Sequence, residues 1–432
     1  MPERANNRKK EHSIDAIRTV RLPNGARIIT EIIEGVYSAS IGIWVDVGSE
    51  QETAENNGVS HCLEHMLFKG TEKRTAEDIA QEIEDVGGSL GAATGKENTC
   101  FYGRVMGDEL GVAIDLLMDM LLNATLTDND LDLERQVILE EIKMYEDDPE
   151  DLVHETLILN IWPGHPLSRP ITGTRESVSR FSHEMLAEHV RRFYTAENMV
   201  LSIAGMFDEE KAIAQIAESL SRMRRGEPKP YIAPPAISPF TIIKYRDIEQ
   251  AHISIATNGV SITDPKRYEL SILDLCLGGN MSSRLFQEVR ERRGLVYSIN
   301  TFREAHRENG LLGVYAGTSP RNVQPVLELI AEEFRRVKQE GFTERELNRA
   351  KTQLKSDLLL GLESTRNRTT RNAYSELYYG RQLSVEEMCE EIDRVDAERV
   401  IAIARDLLTP DTLSMVIVGP RSGLAEAYSI TC

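Results

Sequence analysis

LTDNDLDLER, residues 126–135, recurs in altered form as FTERELNRAK, residues 342–351, and this repetition decides the fold class of the chain. The two segments begin 216 residues apart. Two apolar segments, NMVLSIAG and LSMVIVG, end in the same way at Gly205 and Gly419, which are 214 residues apart. Because the two offsets nearly agree, the sequence predicts an internal duplication in which one structural unit is built twice.

Periodic apolar residues indicate what each copy contains. Alternation with a period of two predicts strands at residues 41–47 and 251–257. Apolar residues at helical spacing predict amphipathic helices at residues 110–121 and 326–334. We therefore expect an α+β protein of two homologous domains, each a mostly antiparallel β-sheet packed with α-helices.

A proline-rich segment separates the two copies. GEPKPYIAPPAISP, residues 226–239, is poorly compatible with a helix or a central strand and favours an extended linker. The predicted domains are therefore residues 1–225 and residues 240–432. A chain of 432 residues is also too long for one ordinary hydrophobic core.

The charge balance restricts the possible partners. A net charge of −20 disfavours nucleic acids and anionic membranes, because both repel an acidic surface. The charge would suit a basic ligand, although acidity that only keeps the protein soluble is the simpler explanation. No apolar run reaches the ~20 residues of a membrane-spanning helix, so we expect a soluble protein.

The amino-terminal segment and the cysteines bear on location. Residues 1–19 are basic but lead into no apolar segment, which argues against secretion, while a short targeting peptide stays an alternative. The five cysteines are odd in number and widely spaced, unlike a disulfide framework. The simplest prediction is the reducing environment of the cytoplasm.

GVSHCLEHMLFKGT, residues 58–71, contains the residues that most suggest chemistry. On a helix His61 and His65 lie one above the other, and Glu64 points to nearly the same side. Two imidazoles at this spacing suit zinc, and the order H-x-x-E-H is the inverzincin signature. Such a pattern also arises by chance in surface helices, but the apolar residues around it predict a packed helix that begins at Gly58 and stops by Gly70. In a packed helix the two histidines need partners or a metal.

A catalytic zinc needs a third protein ligand, and a second predicted helix, LERQVILEEIKMYEDD, supplies candidates. These are Glu134, Glu140 and Glu141. Glu134 and Glu141 share one helix face with the apolar Val137 and Ile138, so their charges need partners. Glu140 points about 100° away and is expected in solvent. The copy of the histidine segment in the second half, near residues 271–280, has neither histidine nor glutamate, so only the first half carries the site.

These residues together resemble the pitrilysin or insulinase group of zinc peptidases, and within it the branch of the mitochondrial processing peptidase and its bacterial relatives. The resemblance extends from LPNGARIITE to MVIVGP and rests on the H-x-x-E-H motif followed, 76 residues after its last histidine, by a glutamate. It implies one zinc ion per subunit held by His61, His65 and Glu141. It also implies that Glu134 supports a ligand histidine and that Glu64 is the general base.

The resemblance gives the second half a function as well. Taken alone, NMSSRLFQEVRERRGLVYS, residues 280–298, indicates a solvated helix. In the family an arginine and a tyrosine seven residues apart, here Arg290 and Tyr297, donate hydrogen bonds to the developing oxyanion. Long single-chain relatives are twice this length, so we expect a homodimer that forms a closed chamber, with each donor pair serving the zinc of the other subunit. A heterodimer with an inactive homologue is the alternative.

Substrate recognition is predicted from one further segment. GGSLGAATGKENTCFYGRV, residues 87–105, resembles the edge strand with which the family pairs an extended peptide, and Ala92, Ala93 and Thr94 are candidate contacts. Family members usually have Asn and Tyr where this chain has Gly91 and Ala93. An acidic cluster at residues 146–151 could attract basic peptides or simply end a helix. We therefore predict a zinc endopeptidase, with specific processing and general degradation left open, and a catalytically silent scaffold subunit as the competing function.

Overall fold

The structure, a computed structural model, describes residues 17–430. The predictions for the start of the chain through residue 16 and for Cys432 lie outside the described residues. The strands, numbered in chain order, are β1 Ile17–Arg21, β2 Arg27–Ile32, β3 Ser38–Val45, β4 Ser89–Thr94, β5 Thr99–Met106, β6 Met199–Gly205, β7 Thr241–Tyr245, β8 Ala251–Asn258, β9 Val296–Ala305, β10 Gly310–Thr318 and β11 Ser414–Gly419.

In the described residues all helices lie between β3 and β11 along the chain. They are α1 Val59–Leu67, α2 Ala76–Asp85, α3 Leu110–Asn123, α4 Asp128–Asp147, α5 Pro149–Ile161, α6 Arg175–Val178, α7 His183–Phe193, α8 Glu209–Ser221, α9 Arg267–Leu277, α10 Val323–Glu340, α11 Glu344–Gly361, α12 Thr365–Tyr374, α13 Val385–Arg394 and α14 Ala397–Leu407. Wider π-helical turns occupy Phe286–Glu291 and Ser375–Tyr379. Every helix within residues 17–430 is too short or too polar to cross a lipid bilayer.

Two sheets repeat one topology. The first has the strand order β1-β2-β6-β3-β5-β4, and the second has the order β7-β11-β8-β10-β9. Each contains a single parallel pair, β2 with β6 and β7 with β11, and its other pairs are antiparallel. Apart from β1, the sheets therefore match strand for strand. The predicted fold class, two homologous α+β domains with mostly antiparallel sheets packed by helices, is confirmed.

The first sheet shows why alternation in sequence becomes two packed faces. In β3 the side chains of Ile41, Ile43 and Val45 are at most 1% exposed and pack in a core with α1 and α3. Full burial of such a side chain contributes about 1.5–3 kcal/mol. The intervening Trp44 points to the opposite face, where it packs in a smaller cluster with Ala373 of α12. Helices therefore cover both faces of this sheet.

The chain forms two compact units, and neither is a continuous stretch. One unit comprises the described residues through Ile142 together with Arg169–Tyr231 and Leu359–Val385. The other comprises Lys143–Ser168, Ile232–Leu358 and the described residues from Glu386 onward. As a result, α12 from the second sequence repeat packs on the first sheet, and α5 from the first repeat packs on the second. The limits 1–225 and 240–432 describe the sequence repeat and stay a prediction.

Candidate metal centre

The helix α1 starts where only glycine fits. Its first residue follows Gly58, which has a left-handed φ of 92°. A Cβ atom on Gly58 would come within 2.6 Å of the carbonyl oxygen of Thr172 and 2.7 Å of the Cα atom of Gly173. The close backbone contact fixes where the helix begins. The helix ends at Leu67, before the predicted stop at Gly70.

A buried carboxylate holds the same helix terminus. Glu52 accepts hydrogen bonds from the backbone N–H groups of Gly58 at 2.6 Å and Ser60 at 2.8 Å, and from the side chain of Asn57 at 2.9 Å. These bonds satisfy N–H groups that the helix itself leaves unpaired. Burial raises the pKa of Glu52 to about 7. Sequence reasoning missed this residue because it lies six residues upstream of the helix cap, outside the usual capping positions.

Both histidines of α1 point to one site, and Glu141 of α4 meets them there. Their ring centroids are 4.6 Å apart. An Oε2 atom of Glu141 lies 3.6 Å from Nε2 of His61 and 3.8 Å from Nε2 of His65. One ligand atom from each of the three residues lies within 4.8 Å of the other two. Ligands ~2.0–2.2 Å from a tetrahedral zinc ion lie roughly 3.3–3.6 Å apart, so the spacing fits zinc with small adjustments.

The opposite nitrogen of His65 is engaged by Glu134. Its Nδ1 atom lies 2.9 Å from Oε2 of Glu134, and the other carboxylate oxygen of Glu134 lies 2.5 Å from the ammonium group of Lys69. Burial alone would favour the neutral acid, but the hydrogen bonds from Lys69 and His65 lower the pKa of Glu134. An ionised Glu134 holds the Nδ1 proton of His65 and leaves Nε2 free to bind a metal. The sequence had not pointed to Lys69.

The protonation states suit metal binding. Burial and the neighbouring His65 lower the pKa of His61 to about 4, so its imidazole is neutral at physiological pH. Burial raises the pKa of Glu141; the neighbouring His65 opposes this shift and Glu64 adds to it. Two neutral imidazoles and a carboxylate are the donor set of many catalytic zinc sites. The donors present therefore fit the ion.

Glu64 lies beside the three candidate ligand residues and is hydrogen-bonded to a strand. Its Oε2 atom accepts a hydrogen bond of 2.5 Å from the hydroxyl group of Thr94. Thr94 ends β4, the edge strand of the first sheet. Ala92 of this strand packs against the core, whereas Ala93 is exposed. The candidate substrate-contacting strand is thus linked directly to the candidate general base.

Other predictions about these helices have mixed outcomes. Cys62 is fully buried, as expected of a core residue, and burial raises the pKa of its thiol to about 12. Glu140 is exposed, as predicted. The prediction that Val137 belongs to a buried apolar stripe with Ile138 is wrong: Ile138 is fully buried, but Val137 is 48% exposed. The reason is geometric, since successive helical residues lie 100° apart and only one of the two can face the core.

Arg290 and Tyr297 belong to the other compact unit. Arg290 lies in the π-helical turn Phe286–Glu291, and Tyr297 lies at the start of β9. The guanidinium carbon of Arg290 is 5.9 Å from the ring centroid of Tyr297 and 4.7 Å from that of Phe286. Tyr297 is 77% exposed. The structure thus makes the two predicted donors neighbours, with the phenol accessible.

The acidic cluster at residues 146–151 spans the end of α4 and the start of α5. Asp148 caps α5, and its carboxylate accepts backbone hydrogen bonds from Glu150 at 2.8 Å and Asp151 at 3.0 Å. One member of the cluster is therefore engaged in holding a helix terminus, in agreement with the structural alternative for this segment.

Two family models match successive parts of the chain. The family model for insulinase, peptidase family M16, matches residues 27–175, and the model for the peptidase M16 inactive domain matches residues 180–354. An uncharacterized zinc protease of Streptomyces coelicolor is 40% identical over 420 residues, covering 95% of this chain and 91% of the relative. One of Mycobacterium leprae is 41% identical, covering 96% and 94%, and one of Bacillus subtilis is 36% identical, covering 94% and 99%.

Solved structures with similar folds have more distant sequences. A structure described as the peptidase M16 inactive domain from Pseudomonas fluorescens superposes with a TM-score of 0.88 at 21% identity, covering 95% of this chain and all of that one. A protease from Helicobacter pylori superposes with a TM-score of 0.86 at 17% identity, covering 94% and 99%. At these identities the likeness concerns the fold alone.

Proposed function

This chain belongs to the insulinase family of peptidases, family M16, and from that premise we propose that it is a zinc-dependent endopeptidase. The observation that carries the proposal is the convergence of His61, His65 and Glu141 within 4.8 Å of one another, with Glu64 beside them. His61, His65 and Glu141 would hold one zinc ion per subunit. The zinc-protease names of the relatives agree with this donor set.

The residues around the site have different roles in peptide hydrolysis. Zinc, when bound, supplies a Lewis acid and lowers the pKa of a bound water. Glu64 cannot join the ligands while both histidines do, so its carboxylate is free to accept a proton from the attacking water and pass it to the leaving amine. The hydroxyl group of Thr94 donates to one oxygen of Glu64 and so fixes the orientation of the carboxylate. Glu134 and Lys69 fix the ring of His65 in the same way.

The substrate class we propose is an extended peptide. Strand β4 lies at the sheet edge, and an edge strand offers unpaired backbone groups that a peptide can pair with by strand addition. Ala92, Ala93 and Thr94 would make these backbone contacts. Because Thr94 also contacts Glu64, a peptide paired here would pass close to the general base. A net charge of −20 further favours basic peptides over acidic ones at long range.

We further propose that two copies of the chain form the working enzyme, with Arg290 and Tyr297 of one subunit donating hydrogen bonds to the oxyanion at the zinc site of the other. Their adjacency and the exposure of Tyr297 support a role in contacting another molecule. A heterodimer with an inactive homologue is the second arrangement. It predicts that the purified chain alone lacks activity.

The competing function is that of a silent scaffold subunit. Such a subunit has no need of the zinc ligands or of Glu64, and here all four residues are present and adjacent. The catalytic function is therefore favoured. We propose the cytoplasm as its location, which agrees with the four cysteines of residues 17–430 being unpaired.

The central test is the variant Glu64→Gln. We expect it to keep one zinc ion per chain by metal analysis and to lose ~10²–10⁴-fold in the hydrolysis of an internally quenched peptide, which is the usual contribution of general-base catalysis. Glu72→Gln, which alters an exposed carboxylate, serves as the control and should retain full activity. Undiminished hydrolysis by Glu64→Gln at full zinc content would refute the proposal.

A mixing experiment tests the two-subunit arrangement. Glu64→Gln and Arg290→Ala are each expected to be inactive alone. Mixed subunits should regain up to about half of the wild-type activity per mixed dimer, because one of its two sites combines an intact Glu64 with an intact Arg290. Verified mixed dimers without activity would show that the donors do not act across subunits.

A further inference from the structure

The face of the first sheet that carries α12 has an open groove at its β4 edge. Its volume is about 420 Å³. The residues that define its chemistry come from β3, β4, β5 and α12, and they are Trp44, Ala93, Tyr102, Arg104, Arg366 and Tyr374. These residues all belong to one compact unit, and they are separate from the candidate zinc ligands.

Strand β4 separates this groove from the metal centre. Successive side chains of a strand point to opposite faces of the sheet. Leu90 and Ala92 pack in the core on the face covered by α1 and α3, and Thr94 contacts Glu64. Ser89 and Ala93 are exposed and line the groove on the other face. A peptide that extends the sheet along β4 would therefore present every second side chain to the groove.

The lack of a side chain at Gly91 shapes the groove. Gly91 is paired with Tyr102 of β5. A Cβ atom on Gly91 would lie 2.8 Å from the ring and hydroxyl group of Tyr102, so the ring lies directly over the glycine. The resemblance to the family places Asn and Tyr where this chain has Gly91 and Ala93. Side chains of that size would displace the Tyr102 ring and occupy the space that forms the groove.

Arg366 gives the groove its charge. Its guanidinium carbon lies 4.2 Å from the ring centroid of Tyr102, a cation–π contact that holds the side chain over the ring. Among residues 17–430, neither Arg366 nor Arg104 forms an ion pair with a carboxylate, and both are exposed. A guanidinium held by an aromatic ring is already oriented for two hydrogen bonds to a carboxylate. In a chain of net charge −20, two arginines without a carboxylate partner give this groove a local positive charge, which favours a ligand of opposite charge.

We propose that this groove is a substrate subsite that binds the acidic side chain of a peptide paired along β4. The inference rests on the proposed peptidase function and adds a local specificity to it. Arg366 is the main determinant, Tyr102 holds it in place, and Arg104 contributes a second positive charge. The preference for an aspartate or glutamate should recur at alternate positions of the peptide, because only alternate side chains face the groove.

The test is a series of quenched peptides with one fixed cleavage site, in which a single glutamate or glutamine is moved along the sequence. With zinc-loaded wild-type enzyme we expect kcat/KM to be about 3- to 10-fold higher for glutamate at alternate positions, the range of a partly exposed charge-assisted contact. The difference should lie in KM. The zinc-loaded Glu64→Gln protein should bind the same peptides with the same order of Kd values.

Substitutions assign the preference to the groove. Arg366→Gln should abolish the difference between glutamate and glutamine peptides, while Arg222→Gln, which removes an exposed charge from the end of α8, should leave it intact. Ala93→Tyr should also abolish it by filling the groove. Circular dichroism and zinc content confirm that each variant is folded.

The outcomes separate the two proposals. Zinc-loaded wild-type enzyme that hydrolyses no peptide overturns the proposed homodimeric peptidase. The subsite is then judged by peptide binding to the zinc-loaded Glu64→Gln protein, where equal Kd values for glutamate and glutamine peptides overturn it. Hydrolysis without an alternating glutamate preference overturns the subsite alone. A preference that survives Arg366→Gln unchanged does the same, because the groove then does not cause it.

Discussion

The helix α1 in the first sheet unit and the helix α9 in the second follow equivalent strands, β3 and β8, yet their polar side chains meet opposite environments. In α9 the buried Glu269 is paired with Arg399, and Asp274 lies 2.9 Å from Nε of Arg303. Each carboxylate of α9 thus has a fixed cation. In the first copy the two histidines of α1 converge with Glu141, whose only ionisable partners among residues 17–430 are these two histidines. In the second copy arginines therefore neutralise the buried carboxylates. In the first copy the polar side chains at the equivalent helix are available to bind a metal ion.

The second long helix of each unit shows the same contrast. Glu141 of α4 is half-buried and points at the two imidazoles. Its counterpart at the repeat offset of 216 residues is Asp357 of α11, which is exposed and accepts a hydrogen bond of 2.7 Å from Gln353. An exposed carboxylate needs no partner because water solvates it. Both copies have an acidic residue at this position. The copy proposed to bind zinc is distinguished by a carboxylate that is partly buried without a lysine or arginine partner.

The largest expected effect concerns His65, a proposed zinc ligand of the first copy. His65→Ala should lower zinc affinity by more than ~100-fold, beyond the effect of altering a ligand's hydrogen-bond partner, and abolish hydrolysis. Asp274→Asn in the second copy should leave one zinc ion per chain. Titration with a competing chelator measures both. Equal zinc loss in the two variants would mean that the copies do not differ as described.

A smaller change in zinc affinity is expected at Glu134. Glu134→Gln keeps the shape of the side chain but replaces its charge, so the Nδ1 proton of His65 loses an ionised acceptor. We expect zinc to bind about 10- to 100-fold more weakly, with the three ligands unchanged. The same chelator titration measures this affinity, and an unaltered value would show that the contact with His65 does not tune the site.

The paired carboxylates of the second copy should affect stability and not metal binding. Arg399→Ala leaves Glu269 buried without its partner. Since Arg399 is itself 44% exposed, we expect a loss of about 1–2 kcal/mol in the free energy of unfolding, less than for a fully buried pair. Urea unfolding monitors the change, and zinc content should stay at the wild-type level. A change in zinc affinity without loss of stability would contradict the comparison.

An effect of pH on the free energy of unfolding distinguishes how the two helices begin. The N-cap of α9, Lys266, forms no side-chain cap, whereas the start of α1 rests on buried Glu52, whose pKa is raised to about 7. An ordinary glutamate in the unfolded chain titrates near 4.5, so between these values the folded protein binds more protons at Glu52. Stability should therefore fall as pH rises from about 4.5 to about 7, by about 3 kcal/mol at most, and level off above.

Glu52→Gln should remove this pH dependence, whatever its effect on the absolute stability. The exposed carboxylate variant Glu72→Gln should retain the wild-type slope. Urea unfolding at several pH values with saturating zinc provides the measurement. An identical slope in Glu52→Gln would assign the pH dependence to other groups.

Much of the fold and part of the candidate site could be predicted from the sequence, because these features depend on the spacing of residues within short segments. Alternating apolar residues identified β3 and β8, and near-constant offsets identified the duplication, since both are properties of order along the chain. The motif from His61 to His65 fixed which residues share a helix face. Val137 was misplaced, because periodicity gives the angle around a helix but not the position of the boundary between core and solvent.

By itself, the amino-acid sequence determined the duplicated α+β architecture and the residue types available for zinc, because helical and strand periodicities and the H-x-x-E-H spacing are encoded within short segments. Only the tertiary structure decided which partners those residues meet. It brought Glu141 to the histidines and Arg366 over Tyr102, which are contacts between residues far apart in the chain, and it turned Glu52 back to the start of α1. It also exchanged α5 and α12 between the two units. Packing of whole elements sets these contacts, and no local pattern records it.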